Sequence, residues 1–427
     1  MSSTRNNSYL KVANNAFWRF IFLFACLYIV PYDMGYSITE NLEEINIWEK
    51  PAIWIGETFY GWEFDTEQLY IGYDSRFEYC RYILFFWLAF IGTCIWLLVD
   101  RFIKKKYTTK LKILVQTMLR YHVGLTILDY GLSKILMIQF GSIGIDTLEL
   151  QLGSSGGMSL MWYFLSYSEL MVMTAGWLEF IGGVLLLFRR TTFLGVLILI
   201  AVMANVVLMN FSYSVTVTLY ASLLLFLLLV LISTQLRNFF AYVVLNQKTQ
   251  AKPYEPLVKN KKVRLIFKII LISVIGYFHV KNYKELLDTY TKNRYAWFTN
   301  LQTVETFVIN GDTLAPAAIE NNEKAWKQLS FNGLSYYPET FRVKNGKDIG
   351  KRFKFEIDST TQKIRFRPYF GEESEQWSEL SYKKLDEKRY LFEGIYEGDT
   401  ISVTTKAKLI EEYQLMKYKG KLLFDDY

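Results

Sequence analysis

The sequence predicts an α-helical polytopic membrane protein of about seven transmembrane helices, with an extracytoplasmic all-β domain at its C-terminal end. The 427 residues are 52% hydrophobic and 21% charged, and the apolar residues concentrate into blocks long enough to cross a bilayer. The charges between these blocks alternate in sign along the chain. Beyond Val280 the sequence becomes charged and aromatic, with the alternation typical of strands.

The composition excludes a disordered chain, a collagen, a disulfide scaffold and a single soluble enzyme domain. The net charge of +7 lies in short clusters beside apolar segments, which argues against a nucleic-acid partner. The two histidines, His122 and His279, and the three cysteines predict no metal centre. Cys26 and Cys94 lie in apolar blocks and could meet if their helices pack together, whereas Cys80 lies outside these blocks.

The predicted spans are seven apolar blocks whose lengths match the thickness of a bilayer. The apolar run around Cys26 continues to Val30, so the first block is expected to be an uncleaved span rather than a lipoprotein signal. The blocks cover residues 17–31, 82–99, 113–138, 167–188, 193–210, 214–233 and 264–280.

The charges that flank the blocks predict the orientation of the chain. Acidic residues dominate the loop 33–78, whereas basic residues dominate 101–112 and 237–264. Because Lys and Arg are enriched in cytoplasmic loops, the N-terminus is predicted in the cytoplasm and the chain beyond residue 280 outside it. Membrane lipid is therefore one predicted partner. Another is an envelope protein bound through the β domain or the acidic loop 33–78.

These features divide the chain into four regions. Residues 1–110 form a two-span extension with the acidic external loop, 111–234 a four-helix membrane core, 235–280 a basic cytoplasmic loop with the seventh span, and 281–427 the β domain. In the last region, short alternating stretches between Gly, Asn and Asp turns predict a barrel or a sandwich. Its predicted strands are 303–309, 341–343, 351–357, 363–367, 390–396 and 401–406.

The span 113–138 carries four ionisable residues, which is costly in a bilayer and usually marks function or helix pairing. At 100° per residue, Arg120, Gly124, Gly131 and Lys134 fall on one stripe of this helix. The stripe is therefore cationic at both ends and has small residues that allow a neighbouring helix to approach closely.

The span 167–188 has a matching stripe of Glu169, Gly176 and Gly183, with Glu179 at its edge. The two helices run in opposite directions through the membrane. Helical geometry therefore predicts that they pair through their glycines, with Lys134 level with Glu169 and Arg120 level with Glu179.

Two roles are open for these charged residues. They form either an ion-paired packing contact or the wall of a polar pocket for a quinone, a small acid or protons. Asn205 and Asn210 could add amide hydrogen bonds to such a pocket. His122 and Asp129 share another face of the span 113–138 and could relay protons, although a packing role for His122 is the simpler interpretation.

Residues 120–124 and 130–134 resemble the first helix of DoxX-type membrane proteins, in which an arginine, a glycine and a glycine–x–x–lysine recur in that order. Residues 178–190, a glutamate followed by glycines, resemble the second helix of that family. Residues 191–195 and 205–210 resemble its third helix. The resemblance covers about residues 111–234. The chain is similar in particular to a bacterial group of this family that adds two spans before this core, and one span and a β domain after it.

The resemblance implies a protein of the bacterial cytoplasmic membrane that is a subunit or accessory of a membrane complex. Some relatives belong to complexes that pass electrons from sulfur compounds to quinone, so quinone is the cofactor that the resemblance suggests. The sequence has no motif for haem, iron–sulfur, flavin or nucleotide.

Residues 130–134 also resemble the helix of vitamin K-dependent carboxylase-like proteins that carries a catalytic lysine. This second likeness implies a membrane enzyme with Lys134 as a buried base in a pocket with Glu179 and Arg120. A third hypothesis is a non-catalytic envelope scaffold that acts through its β domain and the acidic loop.

Overall fold

The computed structural model contains two compact units. The helical unit consists of Met1–Leu136 and Met173–Asn282, and the barrel unit of Met137–Val172 and Tyr283–Tyr427. The structure describes residues 2–29, 47–65, 74–102, 108–250, 256, 258–292, 301–320, 322–331, 340–369, 377–417 and 419. Residues 33–46 and 66–73 of the acidic loop 33–78 therefore lie outside the described residues.

Helices form over all seven predicted blocks, because long apolar runs satisfy their backbone hydrogen bonds internally only as helices. In chain order the helices are α1 (Ser2–Ile29), α2 (Glu49–Ile55), α3 (Arg76–Phe102), α4 (Thr108–Ile135), α5 (Ile145–Leu148), α6 (Gly157–Tyr167), α7 (Glu169–Leu187), α8 (Thr192–Ser212), α9 (Thr218–Ser233), α10 (Leu236–Val243), α11 (Lys261–Lys292), α12 (Pro316–Ile319) and α13 (Gln414–Lys417).

Among the described residues, four helical stretches are long and apolar enough to cross a membrane. They are Val12–Ile29, Arg76–Asp100, Glu169–Leu187 and Thr192–Ser212. A fifth results if α9 and α10, which meet at a bend of 73°, are counted as one span. The structure therefore confirms a helical protein with several membrane-span candidates, and the count of seven stays a prediction.

The core of the helical unit lies between α1, α3, α4, α8 and α9. Polar contacts also join its elements: Arg19 of α1 pairs with Asp100 of α3. Asp74 accepts hydrogen bonds from the backbone nitrogens of Thr218 (2.8 Å) and Leu219 (2.9 Å), which have no acceptor within α9 itself. The fully buried side chains of this core include Trp18, Ile21, Phe85, Val115, Leu119, Val123, Leu199 and Leu228.

The described part of the barrel unit contains nine antiparallel strands. Their order is β2-β1-β3-β4-β5-β6-β7-β8-β9, and β1 also pairs with β9. This second pairing closes eight strands into a barrel, while β2 extends the β1 hairpin. The strands are β1 (Leu301–Ile309), β2 (Asp312–Leu314), β3 (Trp326–Phe331), β4 (Thr340–Asn345), β5 (Gly350–Asp358), β6 (Lys363–Pro368), β7 (Ser378–Lys384), β8 (Arg389–Tyr396) and β9 (Asp399–Lys408).

A barrel of eight strands has an interior just wide enough to be filled by side chains. In β6, Ile364 and Phe366 are buried while Lys363 and Arg365 are exposed, which is the alternation that the sequence predicts. All six predicted strands are confirmed, and β2, β3 and β7 are additional. The aromatic interior includes Phe307, Phe331, Phe341, Phe353, Phe355, Phe366 and Phe392.

The segment 137–172, which the sequence presents as a loop followed by the fourth span, belongs to the barrel unit and contains α5 and α6. Asp146 of α5 is buried and accepts hydrogen bonds from the Ser330 hydroxyl and, at 3.3 Å, from the Arg352 guanidinium. Ile145 packs with Leu301 of β1. This segment is therefore fastened to the strands by both apolar and charged contacts.

Candidate functional site

Helices α4 and α7 meet through glycines, as the sequence predicts. A Cβ atom added to Gly131 would lie 2.6 Å from the Phe180 nitrogen and 2.7 Å from the Gly176 oxygen. A Cβ atom added to Gly183 would lie 2.7 Å from the Gly124 oxygen. Because these distances leave no room for a methyl group, the two backbones touch at both levels of the contact. We call this contact the α4–α7 seam.

A buried ion pair lies in the α4–α7 seam. The Lys134 ammonium donates to Glu179 Oε2 at 2.6 Å, and the two side chains are only 10% and 3% exposed. The Lys134 ammonium also lies 5.5 Å from the centre of the Tyr130 ring. The amine of Lys134 is therefore occupied by a carboxylate, whereas the carboxylase-like interpretation needs it as a base.

The predicted partners within the seam are wrong. Glu179 is bonded by Lys134 and not by Arg120, and Glu169 accepts instead from the Ser142 hydroxyl and the Lys419 ammonium, each at 3.1 Å. Side chains on a helix lean toward its N-terminus. In this antiparallel pair, Lys134 leans away from Glu169 and toward Glu179, while Glu179 leans toward Lys134. The prediction matched residues by the positions of their backbones along the two helix axes and left out the direction of their side chains.

The other ionisable residues of α4 face different neighbours. Asp129 is only 3% exposed. The His122 ring meets the Tyr28 ring of α1 edge-on, with centroids 5.6 Å apart, which fits a packing role. The Arg120 guanidinium lies 5.2 Å from the centre of the Tyr121 ring. These contacts do not show a proton relay between His122 and Asp129, which stays a prediction.

The two asparagines of α8 lie in opposite environments. Asn205 is exposed, whereas Asn210 is only 4% exposed. Their separation of five positions corresponds to a rotation of about 140°, so the two amides face different sides of α8. Within the described residues, the Asn210 Nδ2 atom is buried without a hydrogen-bond partner. Both amides therefore have unused hydrogen-bonding capacity, one at the surface and one in the interior.

The barrel unit has a polar cluster that sequence reasoning missed. Glu149 Oε1 accepts from the Tyr413 hydroxyl at 2.5 Å and from the Lys408 ammonium at 3.0 Å. Burial tends to raise the pKa of the Glu149 carboxyl, but these two hydrogen bonds, together with the positive charges of Lys408 and Lys344, outweigh burial and lower the pKa below its ordinary value. Burial and the carboxylate together raise the pKa of Tyr413. No sequence signal could have found this cluster, because Glu149 lies about 260 residues before Lys408 and Tyr413 in the chain.

The barrel unit also contains a cavity of about 1080 Å³ beside β5, β6, β7 and β8. Phe353, Phe366 and Tyr396 line it, together with charged side chains that form the ion pairs Lys351–Glu397 (2.8 Å) and Lys363–Glu379 (2.5 Å). Phe353 and Phe366 are only 3% and 1% exposed, so they belong to the barrel core and offer little surface to a ligand.

Neither metal nor disulfide chemistry is visible in the described ranges. No group of three or more His, Cys, Asp or Glu side chains there could hold a metal ion. Cys26, Cys80 and Cys94 are free thiols, although α1 and α3, which carry Cys26 and Cys94, pack against each other. The side chain of His279 lies outside the described residues.

Comparisons with known proteins give one relationship. No family model matches the sequence, and no solved structure matches it. The chain is 32% identical over 110 residues to the uncharacterized protein YwoB of Bacillus subtilis (strain 168). The match covers 70% of that protein and 26% of this chain. The chain therefore belongs to the same family as YwoB.

Proposed function

We propose that the chain is a DoxX-like membrane protein that acts as a subunit or accessory of a membrane complex. The observation that carries this proposal is the exposed amide of Asn205 on α8. Helix α8 is one of the four apolar stretches able to cross a membrane, and Asn205 lies about 10 Å from its C-terminal end at 1.5 Å per residue. Within the described residues the Asn205 side chain has no hydrogen-bond partner.

The face around Asn205 suits a partner helix. Leu194, Ala201, Asn205 and Ser212 fall within about 40° of one another, and all are exposed. Small residues let helix backbones approach closely, and an asparagine amide forms hydrogen bonds between helices where no water competes. A transmembrane helix with its own polar residue would satisfy the Asn205 amide, which hydrocarbon chains cannot do.

The proposal includes the membrane setting in detail. We propose seven spans in the bacterial cytoplasmic membrane, with the N-terminus in the cytoplasm and the barrel unit on the periplasmic, extracytoplasmic side. The alternating charges of the loops support this orientation. The α4–α7 seam then acts as a packing contact, because the Lys134–Glu179 pair neutralises two charges at bilayer depth.

The buried amide of Asn210 favours a second candidate function. Its Nδ2 atom is a hydrogen-bond donor without a partner in the described part of the chain. A quinone carbonyl is an acceptor of matching chemistry, and a quinone-linked role is also what the DoxX resemblance implies. In this alternative the chain holds a quinone for a redox complex.

The test is native mass spectrometry of the tagged full-length chain, isolated from its own membranes in a mild detergent. We compare the wild type with Asn205→Leu and with Leu178→Ala, a control on the exposed surface of α7. The wild type and the control should carry one stoichiometric partner. In Asn205→Leu the association constant for the partner should fall about fivefold, and partner occupancy with it, since one interhelical hydrogen bond contributes about 1 kcal/mol.

Two results would decide against the partner proposal. One is a wild-type chain that runs alone, and the other is equal partner occupancy in Asn205→Leu and Leu178→Ala. Extraction of small molecules from the wild type and from Asn210→Leu, isolated in the same way, tests the second candidate. A quinone that is retained by the wild type and lost in Asn210→Leu would establish the quinone-linked role.

A further inference from the structure

Helix α10 carries its leucine, phenylalanine and valine side chains on one face. At 100° per residue, Leu236, Phe239, Phe240 and Val243 lie within about 100° of one another. The Phe239 ring packs against the Phe193 ring at the start of α8, with centroids 5.4 Å apart. Leu236, Phe240 and Val243 are 50%, 51% and 58% exposed. Most of this apolar face is therefore uncovered by the described chain.

Helix α10 lies at one end of the helical unit. It follows α9 at a bend of 73°, and Thr234, just before it, accepts a hydrogen bond from Gln116 near the start of α4 at 3.0 Å. Its contact with Phe193 lies at the start of α8. Since α9 ends where α4 and α8 begin, α10 turns across the end of the bundle rather than continuing through it.

The charge at this end of the bundle is strongly positive. Between residues 236 and 268 the chain carries eight Lys or Arg residues against a single acid, Glu255. Among these cations, Arg237, Lys248, Lys259 and Lys261 are exposed in the structure. The surroundings of the apolar face are therefore suited to anions.

We infer that α10 is an interfacial helix that lies on an anionic lipid surface, with Leu236, Phe240 and Val243 among the acyl chains and the flanking cations at the head groups. An anionic leaflet offers an apolar layer of acyl chains for the apolar face of α10, and negatively charged head groups just above that layer for the flanking cations. The inference uses the membrane setting proposed above but not the partner protein, so it is tested on the purified chain alone.

The experiment places a fluorophore on either side of α10. Cys26 and Cys94 are replaced by Ala, and Cys80 is kept because it is buried and inaccessible to the label. NBD is attached to Phe240→Cys on the apolar face or to the control Ala241→Cys on the opposite face. Each protein is reconstituted in vesicles of phosphatidylcholine alone or with phosphatidylglycerol, and quenching is measured with doxyl-labelled lipid and with aqueous iodide.

In vesicles with phosphatidylglycerol, the label at 240 should be quenched several-fold more by doxyl lipid than by iodide, and the label at 241 should show the reverse. The preference at 240 should weaken at least twofold in phosphatidylcholine alone. Equal quenching by iodide at 240 and 241 would overturn the interfacial position. Equal doxyl quenching in the two lipid mixtures would overturn the requirement for anionic lipid.

Hydrogen exchange on the unmodified chain gives a second measurement without substitutions. Backbone amides of residues 236–245 should exchange several-fold more slowly in phosphatidylglycerol nanodiscs than in phosphatidylcholine nanodiscs, because insertion shields them from water. The exposed loop 246–250 is the internal control and should change less. Equal exchange of 236–245 in both lipids would contradict the proposal.

Discussion

At the scale of single residues, the Lys134–Glu179 pair places two charged groups in the interior of the helical unit, where each carries a large desolvation cost. Both side chains are nearly inaccessible, so the cost of removing them from water is offset only by their contact with each other. Removing one partner leaves a polar or charged group unmatched among apolar helices. The pair therefore stabilises the α4–α7 seam as a unit rather than as two separate contributions.

A double-mutant cycle measures this coupling. Lys134→Gln and Glu179→Gln should each lower the free energy of unfolding by about 3 kcal/mol, whereas the double variant should lose clearly less than the sum. Unfolding is followed by circular dichroism in bicelles with increasing denaturant. The control cycle pairs Arg120→Gln with Glu179→Gln and should be additive. Additivity in the Lys134–Glu179 cycle would show that the two groups do not stabilise each other.

The glycines of the seam lead to a second prediction at this scale. Gly131→Ala should lower the free energy of unfolding by about 1–3 kcal/mol, because the added methyl group meets backbone atoms of α7 that cannot rotate away. Gly276→Ala is the matched control, since a Cβ atom there would meet nothing within 4 Å. It should be neutral or gain up to about 1 kcal/mol from helix propensity. Equal effects of the two substitutions would mean that α4 and α7 are not in backbone contact.

At the scale of elements, the C-terminal turn around α13 is held to α5 and β9 by one carboxylate. Glu149 binds both Tyr413 and Lys408, and its pKa is lowered in the folded chain. A group with a lowered folded-state pKa stabilises the fold above its unfolded pKa, and this stabilisation is lost as the pH falls through the folded value. The contribution of Glu149 should therefore be present at neutral pH and disappear in acid.

The pH dependence can be measured by differential scanning fluorimetry of the full chain. The melting temperature of wild type should exceed that of Glu149→Gln at about pH 6, and the difference should shrink as the pH is lowered to about 3. Glu387→Gln, at an exposed acid of the same barrel unit that lies outside this cluster, serves as the control for general acid effects. A difference between wild type and Glu149→Gln that is constant over this range would contradict a role for the ionised carboxylate.

At the scale of the whole molecule, the number of spans decides on which side the barrel unit lies. With the N-terminus in the cytoplasm, seven spans place the barrel unit outside, whereas four spans would leave it inside. The basic segment 237–264 should be cytoplasmic in the proposed arrangement, because cations are retained on that side. The two alternatives therefore predict opposite locations for the same domain.

Reporter fusions distinguish these arrangements. Alkaline phosphatase fused after Lys292 should be active, and green fluorescent protein at the same site should be dark, since the first folds only outside the cytoplasm and the second only inside it. Fusions after Gln250 should give the opposite pair of results. A fluorescent, phosphatase-negative fusion after Lys292 would rule out an odd number of spans before it.

Local sequence pattern was sufficient for most of the elements. Apolar blocks correctly predicted helices over all seven predicted spans, because in a bilayer a run of that length satisfies its backbone hydrogen bonds only as a helix. Alternation predicted six strands of the barrel, including β6 with its strict in–out pattern. The strand β3 was missed because polar residues interrupt its pattern and only pairing with its neighbours makes it a strand. The strand β7 was missed although it alternates, because only Leu380 and Tyr382 are buried in it and the apolar signal is short. The amphipathic α10 was missed, although its spacing of apolar residues was readable.

The sequence by itself determined that α4 and α7 carry matching glycine and charge stripes, because helical periodicity follows from the order of residues alone. Only the tertiary structure decided that Lys134 pairs with Glu179, since that choice depends on the axial register of the two helices and on the lean of their side chains. The same holds for Glu149 with Tyr413 and for Asp146 with Arg352. Contacts between residues hundreds of positions apart are set by chain closure and packing, which no local pattern encodes.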